Sequence, residues 1–105
     1  MLMEDWLDRP VKDWLERLQW RILDQSTYHG VTTWKFPFDI WMYRELLYEQ
    51  MPTVVIEIGN FAGGSALFFA DLFDTMNHYP AKIIAVDIDH SNLHDKSKSH
   101  PRITW

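Results

Sequence analysis

The spacing of apolar positions changes along the chain, and each change marks a different kind of element. From Glu4 to Gln25 the apolar residues Trp6, Leu7, Val11, Trp14, Leu15, Leu18 and Ile22 fall three or four apart, which predicts helix. Pro10 divides that stretch into two helical pieces, with Pro10 in the first turn of the second and Asp8 near its cap. Ser26 to Pro37, punctuated by Gly30 and Pro37, reads as a loop. A second helix follows. Asp39 is placed to cap it, Phe38 and Tyr43 to staple that cap, and Ile40, Tyr43, Leu46, Leu47 and Gln50 to form one face up to Pro52.

The period then shortens. Thr53 to Ile58 is a β-branched, nearly continuous apolar run, the pattern of a strand buried on both faces. Gly59 to Gly64 is a glycine-bearing turn, and Ser65 to Met76 has the apolar content of a helix packed on a sheet. Lys82 to Asp87 is a second buried strand ending in acids, so the unit is β-α-β, with a right-handed crossover and a parallel strand pair expected. Ser91 to Ser99 is polar and reads as a further helix, and Arg102 to Trp105 as the start of a third strand.

Composition removes several function classes. With 105 residues the chain is one domain at most, and its 47% hydrophobic content is ample for a core. A net charge of −5 argues against a phosphate-backbone binder, so no nucleic-acid partner is expected. The run of Lys96, Lys98, His100 and Arg102 is short and reads as a solvated helix face. No apolar stretch approaches the roughly 20 residues that span a bilayer, and the acidic N-terminus lacks a signal peptide's basic start. Absence of cysteine removes disulfides and thiolate metal sites. A soluble, cytoplasmic protein without a membrane partner is the expectation.

A glycine turn between a buried strand and a helix is a ligand site by position, and three cofactor classes compete for it. A dinucleotide fingerprint would take Gly59 and Gly64 as its outer glycines but would meet Phe61 where backbone must approach pyrophosphate. A phosphate loop finds the same two glycines at the right spacing, yet Ser65 follows directly and the lysine is missing. S-adenosylmethionine carries no phosphate and needs room and hydrogen bonds instead. Glu57 can act on its cationic methionine end, Gly59, Gly63 and Gly64 let backbone come close, and Asp87 can accept from both ribose hydroxyls. Each residue also has a plain reading. Glu57 could be a strand-end acid bonded to backbone amides, Gly63 and Gly64 could serve tight helix packing, and Asp87 could be a turn residue. All of them in their places within one β-α-β unit favours the S-adenosylmethionine reading.

Several segments together resemble the cephalosporin hydroxylase and rhamnosyl O-methyltransferase family. They are Tyr28-His29-Gly30-Val31, Trp34 to Trp41 with its Lys-x-Pro-x-Asp element, Pro52 to Gly59, and Gly63-Gly64-Ser65-Ala66. Ala85 to Asp89 and His100 to Thr104 continue the match in order, so that it spans roughly residues 28 to 105. The resemblance implies an α/β, Rossmann-like class I methyltransferase fold, present in part. It implies S-adenosylmethionine at Glu57, Gly59, Gly63, Gly64, Ser65 and Asp87, and methyl transfer to a hydroxyl of a sugar or secondary metabolite, the small-molecule partner. Family members often use a divalent cation, magnesium, near the acceptor, with ligands expected outside this chain. This sequence departs from the pattern at Phe61, where a small residue is expected. On this reading residues 1–38 are a helical extension and loop, and 39–105 the front half of the cofactor-binding domain, apparently truncated at Trp105. No catalytic residue is assigned.

Other constellations carry less. His90 and His94 are four apart, as metal ligands on a helix would be, but zinc needs three or four converging ligands, and exposed helix residues are the default. His29 lies in the loop before the second helix, near the cofactor mouth in the family fold. Two alternatives to the methyltransferase stay open. One is a nicotinamide oxidoreductase. The other is an assembly module that pairs through its tryptophan-rich first 25 residues into a homo-oligomer.

Overall fold

The computed structural model describes residues 8–105. The first helical piece expected around Trp6 and Leu7 lies outside the described residues. Helix α1 spans Val11–Gln25, with Pro10 at its N-cap and no side-chain cap. Pro10 therefore precedes the helix instead of entering its first turn, and Asp8 does not cap it. A proline outside the helix costs no intrahelical bond, which is why the start falls there. The apolar stripe of α1 is sparsely covered: Ile22 is buried, while Leu15 and Trp20 are more than half exposed.

The expected loop is partly ordered. β1 (Thr27–Tyr28) and β2 (Val31–Thr32) pair antiparallel as a hairpin. Its two turn residues, His29 and Gly30, have φ of 49° and 82°, the left-handed pair that matches the twist of flanking strands. Helix α2 runs Pro37–Gln50. Asp39 is not its cap, because the helix begins earlier, with Pro37 at its start, and Asp39 falls in the first turn. The staple does not form either: Phe38 stands exposed against Phe36, and Tyr43 turns inward onto Phe69. Met51 in the left-handed conformation ends the helix just before Pro52.

The body is a three-stranded parallel sheet, ordered β3 (Val54–Ile58), β4 (Lys82–Val86), β5 (Ile103–Thr104). Helix α3, Gly64–Thr75, joins β3 to β4 and buries Ala66, Phe69, Ala70 and Phe73 against Ile83 and Ala85. These residues are the core. The strands are not buried on both faces as their composition predicts. Val55, Glu57, Ile83 and Ala85 lie under α3, whereas Val54, Ile56, Ile58, Ile84 and Val86 remain exposed on the other face. Among the described residues, helices cover the sheet on one face only.

The stretch from Ser91 to Ser99 is helical only over α4, Asp95–Lys98. The imidazole of His94 accepts from the Lys96 N–H and so starts that turn from outside it. The third strand is present as expected. Arg102, just before it, is buried and donates to Asp74 and to the carbonyls of His78, Tyr79 and Ala81.

Candidate functional site

The carboxyl end of β3, the turn that follows, and the first turn of α3 form the site. The Gly59 N–H donates to the Val86 carbonyl at 2.7 Å, so the ladder holds the turn's first residue in line with β4. Gly59 then reverses the chain at φ 80°, and a Cβ there would meet nothing within 4 Å. Its conformation asks for glycine, and the space above it is open.

Gly63 and Gly64 have another reason to be glycine. A Cβ on Gly64 would fall 1.8 Å from Thr33 Oγ1, and one on Gly63 2.7 Å from both Ser97 and Trp105. The glycine pair lets the start of α3 slide against the hairpin and α4. Of the three glycines, the structure places Gly59 toward open space and the other two in packing.

Glu57 reaches the same place from β3. It is 7% exposed, its Oε1 accepts from the Ser65 hydroxyl, and its Oε2 is buried without a partner. Burial pushes its carboxyl up from the usual range, while the Ser65 hydroxyl and the Lys35 ammonium pull it back. Beside it, both side-chain polar atoms of the buried Asn60 also lack partners. Three orphaned polar atoms at one strand end are a cluster that globular interiors rarely tolerate unless a polar ligand or water meets them.

Asp87, at the end of β4, turns toward the turn itself. Its Oδ2 accepts from the Asn60 and Phe61 N–H groups at 2.9 Å each, and its Oδ1 from the Ile88 N–H at 2.7 Å. The Phe61 N–H first, with those of Asn60 and Ile88, holds its carboxyl below the usual range. Asp87 thus clamps the glycine turn across the strand gap, its two oxygens facing the N–H groups of Asn60, Phe61, Ile88 and Asp89. Phe61 accommodates its bulk by adopting φ 44° and stacking on Trp34, ring centroids 4.6 Å apart.

A cavity of about 150 Å³ lies on this turn, lined by Thr33, Trp34, Lys35, Gly59, Asn60, Phe61 and Ser65 among others. Thr33, Lys35 and Asn60 were not singled out as site residues from their own chemistry. Lys35 stands in the Lys-x-Pro-x-Asp element, the one signal that could have found it. His29 does not line this cavity: it sits at the hairpin tip, 4.0 Å from Asp71 on the outer side of α3. His90 and His94 share no helix, since His90 packs edge-on against Trp105 and His94 precedes α4. The convergent carboxylate–imidazole group is instead Asp71, Asp74 and His100. There the His100 Nδ1 accepts from the Arg102 N–H, so its Nε2 carries the proton and donates to the two carboxylates at 3.2 Å. That cluster fastens α3 to the approach of β5.

The parallel sheet, the glycine turn at its carboxyl edge and the acid closing the next strand define a Rossmann-like α/β fold of the class I methyltransferase type, present in part. A CmcI structure with SAH superposes with a TM-score of 0.73 at 27% identity, over 93% of this chain and 52% of that one. A CmcI structure with Mg and SAM gives 0.70 at 25% identity, over 99% and 46%. The sequence model of the family Rhamnosyl O-methyltransferase/CmcI matches residues 20–104, and the chain belongs to that family. The rhamnosyl O-methyltransferase of Mycobacterium tuberculosis is 37% identical over 81 residues, 77% of this chain and 33% of that protein. That of Mycobacterium leprae is 39% identical over 84 residues, 80% and 36%. The chain spans about a third of the length of these curated relatives.

Proposed function

We propose that this chain is the S-adenosylmethionine-binding part of an O-methyltransferase acting on a hydroxyl of a sugar or secondary metabolite. The observation that carries this reading is the buried Glu57, held by Ser65 on one oxygen and without a partner on the other, beside the open Gly59 turn. An unpaired carboxylate oxygen in a buried site fits a cationic ammonium, which would restore what burial costs it. Asp87 is the acid placed to meet ribose hydroxyls, and its bonds to Asn60 and Phe61 keep the turn shaped. The Gly59 turn leaves room for the cofactor's body. When bound, S-adenosylmethionine supplies an electrophilic methyl on a sulfonium. The chain's part is to bind and orient that donor. Complexes of family structures with SAH and with Mg and SAM support the reading.

Magnesium is taken to find its ligands outside this chain. Asp71, Asp74 and His100 are already engaged with Arg102, Tyr28 and one another, the two acids in the second half of α3. Residues 39–105 are proposed as the front half of the cofactor domain, with 1–38 as its extension. No described helix is long and apolar enough to cross a membrane, and a cytoplasmic location is proposed.

The test is a tryptophan-fluorescence melt with and without S-adenosylhomocysteine. At a hundredfold excess over its dissociation constant, a ligand of the native state adds about 2.7 kcal/mol, and the midpoint rises. The rise is expected to vanish in Glu57→Gln and in Asp87→Ala. A cooperative melt with no rise in the parent chain would reject cofactor binding by this chain. It would leave the second reading, an assembly module, which the exposed apolar sheet face favours.

A further inference from the structure

A second cavity, of about 500 Å³, lies between α1, the hairpin and the start of α2. Leu18, Ile22, Ile40 and Phe68 give it apolar walls, and Arg21 and Lys35 stand in its lining. Among the described residues no carboxylate lines it, although the chain carries 15 acids against 10 bases. Among the described residues, neither Arg21 nor Lys35 makes a side-chain hydrogen bond or an ion pair. A neighbouring groove on the outer side of α1 is different: there Arg9, Arg17 and Arg21 stand among Asp13, Glu16 and Asp24. Within its own lining, the inner cavity sets the cationic Arg21 and Lys35 over an apolar wall, in a molecule of net negative charge.

The cavity also touches the glycine-turn site. Thr33 and Lys35 line both it and the smaller cavity on Gly59, Asn60 and Phe61. A molecule held here would have one end beside the proposed methyl donor.

We propose that this cavity holds the methyl acceptor, and that the acceptor is an anion with an apolar body, its carboxylate or phosphate met by Arg21 and Lys35. The assignment of the occupant as acceptor rests on the methyltransferase reading; the anion preference does not. Two cations beside an apolar wall distinguish ligands of the same shape by their charge.

A matched pair of probes tests it: 4-methylumbelliferyl glucuronide and 4-methylumbelliferyl glucoside. They share the aromatic body and the sugar hydroxyls and differ by one carboxylate. Titrated against the 105-residue chain, the glucuronide is expected to bind about tenfold more tightly. That advantage should disappear in Arg21→Gln with Lys35→Gln and return in Arg21→Lys with Lys35→Arg. It should also shrink as salt is raised. Equal affinity for both probes, or an advantage that survives the double Gln variant, overturns the proposal. S-adenosylhomocysteine binding is measured on the same samples to separate the two readings. A charge preference without S-adenosylhomocysteine binding keeps the anion site and removes the acceptor role. S-adenosylhomocysteine binding without a charge preference keeps the methyltransferase reading and overturns this proposal.

Discussion

On one face of the sheet, Ile83 and Ala85 are sealed beneath Phe69, Ala70 and Phe73 of α3; on the other, Ile56 and Ile58 are 64% and 83% exposed. Apolar content alone does not distinguish the two faces, since Val55 and Ile83 on the covered side are matched by Val54, Ile56, Ile58, Ile84 and Val86 on the open one. What differs is whether the chain supplies a layer to lie on them. A strand whose alternate positions are all apolar is suited to burial on both sides, and here half of that burial is unmet. The covered face concentrates stability and chemistry together, since Glu57 belongs to it. The open face leaves an apolar surface of the kind that marks association.

The largest expected contrast comes from truncating one side chain on each face. Phe73→Ala removes a fully buried ring and should cost about 3–5 kcal/mol in a denaturant melt, enough to unfold a small domain. Ile56→Ser on the open face should change stability by no more than about 0.5 kcal/mol while lowering self-association in sedimentation. Equal losses from the two would mean that the open face is covered in solution.

A smaller contrast separates the glycines of the site. Gly64→Ala drives a methyl into Thr33 and the Thr32 carbonyl, and should cost about 1–3 kcal/mol, partly recovered by Thr33→Ala. Gly59→Ala meets no atom and should cost only the strain of a positive φ, about 1 kcal/mol. Thermal midpoints of the two variants rank them directly. The reverse ranking would place the tight contact at Gly59.

The subtlest effect is that of pH on Glu57. Its folded carboxyl titrates above the usual range, so the protonated form suits the fold. The stability this gives is complete below the unfolded value near 4.5 and is lost as pH rises through the folded value. Glu57→Gln should therefore raise the ligand-free melting midpoint at neutral pH, and the gain should close as pH falls toward 4.5. A gain that is constant with pH would point to packing in place of charge.

The β-α-β unit was legible because its signals are local: a change of period, a glycine turn, an acid at the next strand's end. Glu57, Gly59 and Asp87 meet at one strand edge because parallel pairing aligns Ile58 with Val86. The helix starts were misplaced by a few residues. Asp39 looks like a cap, but Pro37 two residues earlier already has the backbone angle a first turn needs. The hairpin was missed because its strands are two residues long, too short for alternation to show. Its turn signal, His29-Gly30, is atypical in carrying a histidine at positive φ. The exposure of the second sheet face is a matter of what lies opposite it, which no local pattern encodes. Nor could spacing show that Gly63 and Gly64 serve contacts with Ser97, Trp105 and Thr33, residues far from them along the chain.

The Arg102 guanidinium collects the carbonyls of His78, Tyr79 and Ala81, all from the bend between α3 and β4. Those acceptors are made some twenty residues before their donor. During synthesis the bend therefore emerges with its carbonyls facing water and closes only once Arg102 has followed. The β-α-β unit can assemble early in outline, but its corner is fastened late, so the order of translation becomes an order of locking.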